Sequence, residues 1–320
     1  METILQELAQ VGSFVLRNLW RVLPFLALTV PLAVAFRHTG ISSRIRTVIG
    51  KTPVLAVTIA AAVGAFSPFC SCSVVPIVAG LLGSGVPLAP VMAFWLASPS
   101  MDPEILFMSA GIVGWDLALW RLGATLVMSF GAGLLTLLLE RRGFLADGIL
   151  RDSTAAATAA STRVEAARSV GAAKTSLLSR IDLRSAAQES AQTLLKFALL
   201  MVVAFVLEAL TVRFVPADFV AGLLGRKSAF AVPLATLVGI PLYTTNLSAL
   251  GIISGLLRQG MDGGAALAFL IGGAVTTIPA MSAVYGIVKP RVFALYLTFA
   301  VAGSLVSGYA FKLVHLLLVP

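Results

Sequence analysis

The sequence predicts an all-α polytopic membrane protein made of two internal repeats, with broken or re-entrant short helices and roughly 8–10 membrane segments. Three observations carry this: the composition, the alternation of long and short apolar segments, and a constant spacing between matching residues of the two halves. Charged residues make up 12% of the 320 positions and hydrophobic residues 58%, whereas soluble domains carry roughly 25% charged residues. Mean hydropathy is +0.98. A net charge of +9 would suggest nucleic acid in a soluble chain. Here it fits Lys and Arg retained in cytoplasmic loops, and no nucleic-acid partner is expected. Met1-Glu2-Thr3-Ile4-Leu5-Gln6-Glu7 is acidic, with neither a basic n-region nor a small-residue cleavage site, so no signal peptide is expected.

Four apolar segments are long enough as helices to cross a hydrocarbon core of about 30 Å. They are Ser13 to Phe36, Asp116 to Leu139, Gln188 to Thr211 and Arg291 to Val314. Between them lie shorter pieces, 53–66, 70–83, 87–98 and 102–114, then 228–241, 244–257, 262–273 and 278–288. None can cross alone, so each is expected to be half of a broken helix or an arm of a re-entrant hairpin. The stretch 140–187 holds eight cations (Arg141, Arg142, Arg151, Arg163, Arg168, Lys174, Arg180, Arg184) and a Ser/Thr/Ala tract at 153–162. It reads as a polar cytoplasmic linker. The expected organisation is a first membrane repeat over 1–139, the linker over 140–187 and a second membrane repeat over 188–320.

The repeat shows as an ungapped offset of 175 positions. Gly50, Gly64, Gly80 and Gly85 fall on Gly225, Gly239, Gly255 and Gly260, and Ala93-Phe94 falls on Ala268-Phe269. The long segments follow the same offset, and the intramembrane cation Arg21 falls on Lys196. If residues 37–51, which carry Arg37, Arg44, Arg46 and Lys51, and the central linker are both cytoplasmic, each repeat crosses an odd number of times. The repeats are then inverted. Four crossings per half, giving parallel repeats, is the alternative. Internal repeats with interrupted helices are the pattern of secondary transporters, whose site lies at the repeat interface near the midplane.

Breaks mark where that site is expected, because unpaired backbone in lipid is tolerated only inside protein or against an aqueous cavity. The first break, Ser67-Pro68-Phe69-Cys70-Ser71-Cys72-Ser73, contains both cysteines of the chain; its counterpart is Tyr243-Thr244-Thr245-Asn246-Leu247-Ser248. Pro76 removes the donor that the Cys72 carbonyl would have in a helix. Both breaks put small hydrogen-bonding side chains at the start of a helix, where the dipole favours an anion or a polarised ligand. The second break, around Ser98 and Asp102, corresponds to 273–277 with Thr276 and Thr277.

Each singled-out residue has a bland reading beside the functional one. Asp102 and Glu104 are proton-coupling candidates, since carboxylates at membrane depth are costly; alternatively Asp102 caps the helix opening at Pro103. Arg21 and Lys196 either attract an anionic substrate or snorkel to the interface. Asp116 and Arg121 are read as flanking the start of a spanning helix. Cys70 and Cys72 could hold a soft metal or metalloid, or could be small residues packed at a crossing. No other metal site, cofactor, nucleotide loop or catalytic constellation is expected, so the chain does not read as an enzyme.

The stretches Pro68-Phe69-Cys70-Ser71-Cys72-Ser73-Val74-Val75-Pro76-Ile77, Gly83-Ser84-Gly85-Val86-Pro87 and Ala93-Phe94-Trp95-Leu96-Ala97-Ser98-Pro99-Ser100 resemble the predicted permease family that includes the ArsP-type organoarsenical efflux permeases. The resemblance covers most of the chain except the central linker. It implies a multi-pass permease of the bacterial inner membrane and, in characterised members, export of thiophilic trivalent organoarsenicals. No cysteine lies outside the motif, so three thiolates of one chain cannot share one arsenic.

The resulting expectation is a permease that moves a small solute by alternating access, with efflux and arsenical resistance as the finer reading. Substrate-binding candidates are Cys70, Ser71, Cys72, Ser73, Ser98, Thr244, Thr245, Asn246, Ser248, Thr276 and Thr277. One alternative is a permease for an oxyanion or other hard solute that does not need the cysteines. Another, of a different class, is a membrane thiol relay or enzyme. Expected partners are the solute, the lipid bilayer and, as an open option, further copies of the chain.

Overall fold

The computed structural model describes residues 12–17, 19–20, 52–67, 71–143, 149–150, 195, 199, 202–203, 205–206, 230–243 and 246–318. Their regular structure is helical, with no strand among the described residues and one isolated bridge, Leu150 to Val288. Ten helices follow in order: α1 Pro53–Phe66, α2 Ser71–Gly83, α3 Leu88–Ala97, α4 Pro103–Val113 and α5 Trp115–Arg141, then α6 Ala231–Leu242, α7 Asn246–Arg258, α8 Gly263–Val275, α9 Ile278–Ile287 and α10 Pro290–Leu318. The expected long segments 116–139 and 291–314 fall inside α5 and α10. Of the segments 13–36 and 188–211 only 13–17, 19–20, 195, 199, 202–203 and 205–206 are described, all of them helical, and most of the linker lies outside the described residues.

Among the described residues two helices, α5 and α10, are long and apolar enough to cross a membrane. The adjoining α8 and α9, bent by 46° at their break, add a third if the pair is counted as one span. The remaining helices are short and apolar. At 10 residues, α3 extends about 15 Å, half of a hydrocarbon core.

Local chemistry accounts for the helix ends. Asp102 caps α4, its carboxylate accepting from Ile105 N at 2.7 Å, and Pro103 occupies the first helical position. Asp262 does the same for α8, accepting from Gly264 N at 2.9 Å and Ala265 N at 3.2 Å. The N-terminus of α3 has no cap of its own; Leu88 N donates to Glu140 Oε1 of α5 at 2.9 Å. Helices α2 and α7 end alike. Val86 N bonds Leu81 O and Gly85 N bonds Leu82 O, while Met261 N bonds Leu256 O and Gly260 N bonds Leu257 O. Gly85 at φ 81° and Gly260 at φ 93° supply the left-handed residue that this closure needs.

Every residue of α3 is buried, and so is α8 from Gly264 to Val275. They form the centre. Helix α3 lies between α1 and α5, and α8 lies between α6 and α10. Small residues allow the close approach. A Cβ on Gly133 of α5 would lie 2.5 Å from Val57 Cγ1 and 3.0 Å from Ala93 Cβ. On Gly308 of α10 it would lie 2.7 Å from Val232 Cγ1 and 3.0 Å from Ala268 Cβ. The outer face of α5, in contrast, exposes Leu119, Val127, Leu135 and Leu138. Across the two groups, α2 packs on α9, α4 on α7, and α5 on α10.

Candidate functional site

The inner face of α5 carries Arg121, Thr125, Ser129, Ala132, Gly133 and Thr136, all buried. Small and polar residues turned inward, with leucines outward, are what a membrane helix needs when its partners are protein on one side and lipid on the other. Arg121 stands in the second turn and is completely buried. It is the only charged side chain in the buried interior among the described residues.

Its guanidinium gathers four elements. Nη1 donates to Ser109 Oγ on α4 at 3.2 Å. Nη2 donates to Tyr243 Oη at 3.1 Å and to Asn246 Oδ1 at 3.0 Å, with a longer approach of 3.5 Å to the Leu270 carbonyl of α8. Tyr243 ends α6 and Asn246 begins α7, and the Tyr243 hydroxyl also donates to Asn246 Oδ1. A planar guanidinium with five fixed donors suits such a junction, where one side chain must satisfy several acceptors at once. The phenol ring of Tyr243 lies against the second break: a Cβ on Gly273 would sit 2.5 Å from Tyr243 Cδ2. The glycine is therefore a packing requirement.

The position 175 residues beyond Arg121 is Tyr296 on α10. It is buried too; its hydroxyl donates to the Val275 carbonyl and its ring stacks on Trp95 of α3, centroids 4.5 Å apart at 23°. Arg121 reaches α8, and Tyr296 reaches α3.

The two breaks of the first half also meet. Ser67 Oγ and Ser98 Oγ share a hydrogen bond of 3.1 Å, and Ser67 Oγ donates to the Gly64 carbonyl at 2.8 Å. Ser98, Thr276 and Thr277 are buried; Thr276 Oγ1 donates to the Gly272 carbonyl at 2.7 Å. Asp102 is half-buried at its cap, and Glu104 is exposed in the first turn of α4. Cys70, Thr244, Thr245, Arg21 and Lys196 lie outside the described residues. Ser71, Cys72 and Ser73 fall in the first turn of α2, and Ser248 in that of α7. No group of three His, Cys, Asp or Glu suited to a metal occurs among the described residues.

One reading is corrected. Asp116 does sit at the start of a long helix, in the first turn of α5, but Arg121 is not a flanking residue. Its face of α5 turns inward, where four polar or carbonyl partners replace water. The legible signal was the stripe Arg121, Thr125, Ser129, Ala132 and Thr136, whose i, i+4 spacing puts the cation on the small-residue face.

A family model described as a predicted permease, ArsP_1, matches residues 7–313. The chain is 30% identical over 128 residues to the UPF0718 protein YcgR of Bacillus subtilis, covering 39% of this chain and 44% of that protein, so the match spans less than half of that relative. It is 24% identical over 294 residues to the UPF0718 protein MJ0584 of Methanocaldococcus jannaschii, covering 79% and 80%. A shorter match, 36% over 59 residues, covers 18% of this chain and 17% of the UPF0718 protein YraQ of Escherichia coli. No solved structure matches.

Proposed function

Because the chain belongs to the ArsP_1 family of predicted permeases, we propose that it is a permease of the bacterial inner membrane that moves a small solute by alternating access between two duplicated halves. The observation that carries the proposal is the hydrogen bonding of Arg121, from the first half, to Tyr243 and Asn246 at a helix break of the second. A charged side chain held there, at the seam between the halves, is a polar centre that lipid-facing packing alone would not call for.

Duplication is supported by the bounds and contacts of the helices. α2 begins at Ser71 and α7 at Asn246, α3 at Leu88 and α8 at Gly263, α4 at Pro103 and α9 at Ile278, α5 at Trp115 and α10 at Pro290. Each pair is 175 positions apart. The packing of α2 on α9 is the exchange partner of α7 on α4, and α5 on α8 that of α10 on α3. The inverted sense of the repeats rests on the crossing parity drawn from the loop charges.

In this reading Cys70 and Cys72 engage a thiophilic solute, with trivalent organoarsenicals as the class and efflux as the direction. Ser71, Ser73, Ser98, Thr244, Thr245, Ser248, Thr276 and Thr277 line the path as hydrogen-bonding groups. Asp102, with Glu104 beside it, is the group that takes up and releases the coupling proton. The test is methylarsenite uptake into everted membrane vesicles. Wild type should accumulate it and Cys70→Ser and Cys72→Ser should not; equal uptake by all three removes the thiol role.

A further inference from the structure

Beyond α5, the chain meets the second half again at Ile149 and Leu150. Lys289 N donates to the Ile149 carbonyl at 3.0 Å, and Leu150 pairs with Val288 in an antiparallel bridge. That bond flanks the pair, so Leu150 and Val288 face each other as a non-hydrogen-bonded pair, the closer kind, with Cα atoms about 4.5 Å apart. Ile149 and Leu150 are half-buried against the core, and Val288 is fully buried. Val288 is extended, at φ −99° and ψ 158°, where α9 ends and the chain turns into α10. Residues 149–150 thus strap the joint between α9 and α10.

Helices α5 and α10 run antiparallel. Trp120 meets Phe311, ring centroids 5.5 Å apart, and Met128 packs on Gly303. Eight positions on along α5, the contact has moved eight positions back along α10. The start of α10 therefore lies beside the end of α5. The strap agrees with this: six positions separate Gly143 from Ile149, a reach of about 20 Å, whereas the 27 residues of α5 extend about 40 Å. The counterpart joint 175 positions earlier, at Val113 and Gly114, lies at the opposite end of α5 and carries no bridge among the described residues.

Helix α9 is jointed at both ends. Its start is the buried break at Thr276 and Thr277, with a bend of 46° to α8, and its end is the strapped joint. We infer that residues 149–150 are a one-sided latch of the permease. Bound, they hold α9 in the enclosed conformation. Released, they let α9 move and open the Thr277 break to the side of the central stretch, which its eight cations make the cytoplasm. A short bridge and two partly buried side chains form a contact that opens without unfolding the helices. Release takes the Ile149 acceptor from Lys289 N, and water replaces it once that side is open. A contact made in one conformation only shifts the balance by its own free energy, and here one joint has it and its counterpart does not. The inference rests on the permease reading for alternating access and for the cytoplasmic side.

The test is labelling of Thr277→Cys by a membrane-impermeant maleimide, in a Cys70→Ser, Cys72→Ser background, from everted and from right-side-out vesicles. Leu150→Asp sets a charge against buried Val288 and should release the latch. Labelling from everted vesicles, whose outer surface is the cytoplasmic face, should then be about fivefold faster, and labelling from right-side-out vesicles no faster. The opposite change is Leu150→Cys with Val288→Cys, a pair spaced for a disulfide. Oxidation should slow labelling at position 277 from everted vesicles and reduction should restore it, each thiol being read by peptide mass spectrometry. Rates at 277 that ignore both changes, or that rise equally from both sides in Leu150→Asp, overturn the latch and leave the permease. Labelling from one side only with the strap unaltered removes alternating access, and the latch with it.

Discussion

Arg121 Nη2 and Asn246 Oδ1 are 3.0 Å apart, although 125 positions and the whole central linker separate the two residues in the chain. Asn246 is the first residue of α7, directly after a helix break, and Arg121 is the one buried charge of α5. The bond therefore ties the start of a short helix in one half to a helix of membrane-crossing length in the other. Any movement of the halves against each other must stretch or exchange it.

Arg121→Lys follows from this. A lysine keeps the charge but offers one nitrogen where the guanidinium spreads donors to Ser109 on one side and Asn246 on the other. The expected outcome is solute flux reduced at least about tenfold, with an unchanged elution profile from size-exclusion chromatography. Flux equal to wild type would mean that the charge alone matters.

Gly133 and Gly131 make a paired test of helix packing on α5. A Cβ at Gly133 would meet Val57 Cγ1 at 2.5 Å and Ala93 Cβ at 3.0 Å, whereas at Gly131 nothing lies within 4 Å. Gly133→Ala should destabilise by about 1–3 kcal/mol through overpacking. Gly131→Ala should be neutral or stabilising by up to about 1 kcal/mol, the helix-propensity gain. Unfolding of both variants in detergent, followed side by side, checks the difference.

Asp102 has a structural duty that can be separated from coupling. Asn can also accept from Ile105 N, so Asp102→Asn should retain stability while Asp102→Ala loses about 1 kcal/mol. If the carboxyl carries the coupling proton, Asp102→Asn should lose flux driven by a pH gradient and keep solute exchange at equal pH. Gradient-driven flux that survives in Asp102→Asn leaves Asp102 as a cap alone.

Much of the helix order was legible in the sequence because lipid imposes it. Apolar length separates spanning helices from half-helices, and Pro103, Gly85 and Gly260 punctuate their ends in ways set by backbone sterics. The short segments 53–66 and 278–288 became α1 and α9 nearly to the residue. Arg121 was missed for a physical reason. One and a half turns into a helix, an arginine can reach water by snorkelling or turn inward, and hydropathy is the same in both cases. What decides is the rotation of α5, which the small-residue stripe on the Arg121 face signals locally and the long-range approach of Gly133 to Val57 and Ala93 fixes. The cap of α3 by Glu140 was hidden likewise, since its donor and acceptor lie on different helices.

The central claim, alternating access with the buried breaks at Ser98 and Thr277 on the solute path, is tested most directly by labelling. In a Cys70→Ser, Cys72→Ser background, Ser98→Cys and Thr277→Cys place one thiol at each buried break. A membrane-impermeant maleimide is then applied to right-side-out or to everted vesicles. Alternating access predicts that each thiol is labelled from both sides of the membrane, slowly, because each is enclosed in the conformation described. Labelling of both thiols from one side only, however long the exposure, would contradict the account.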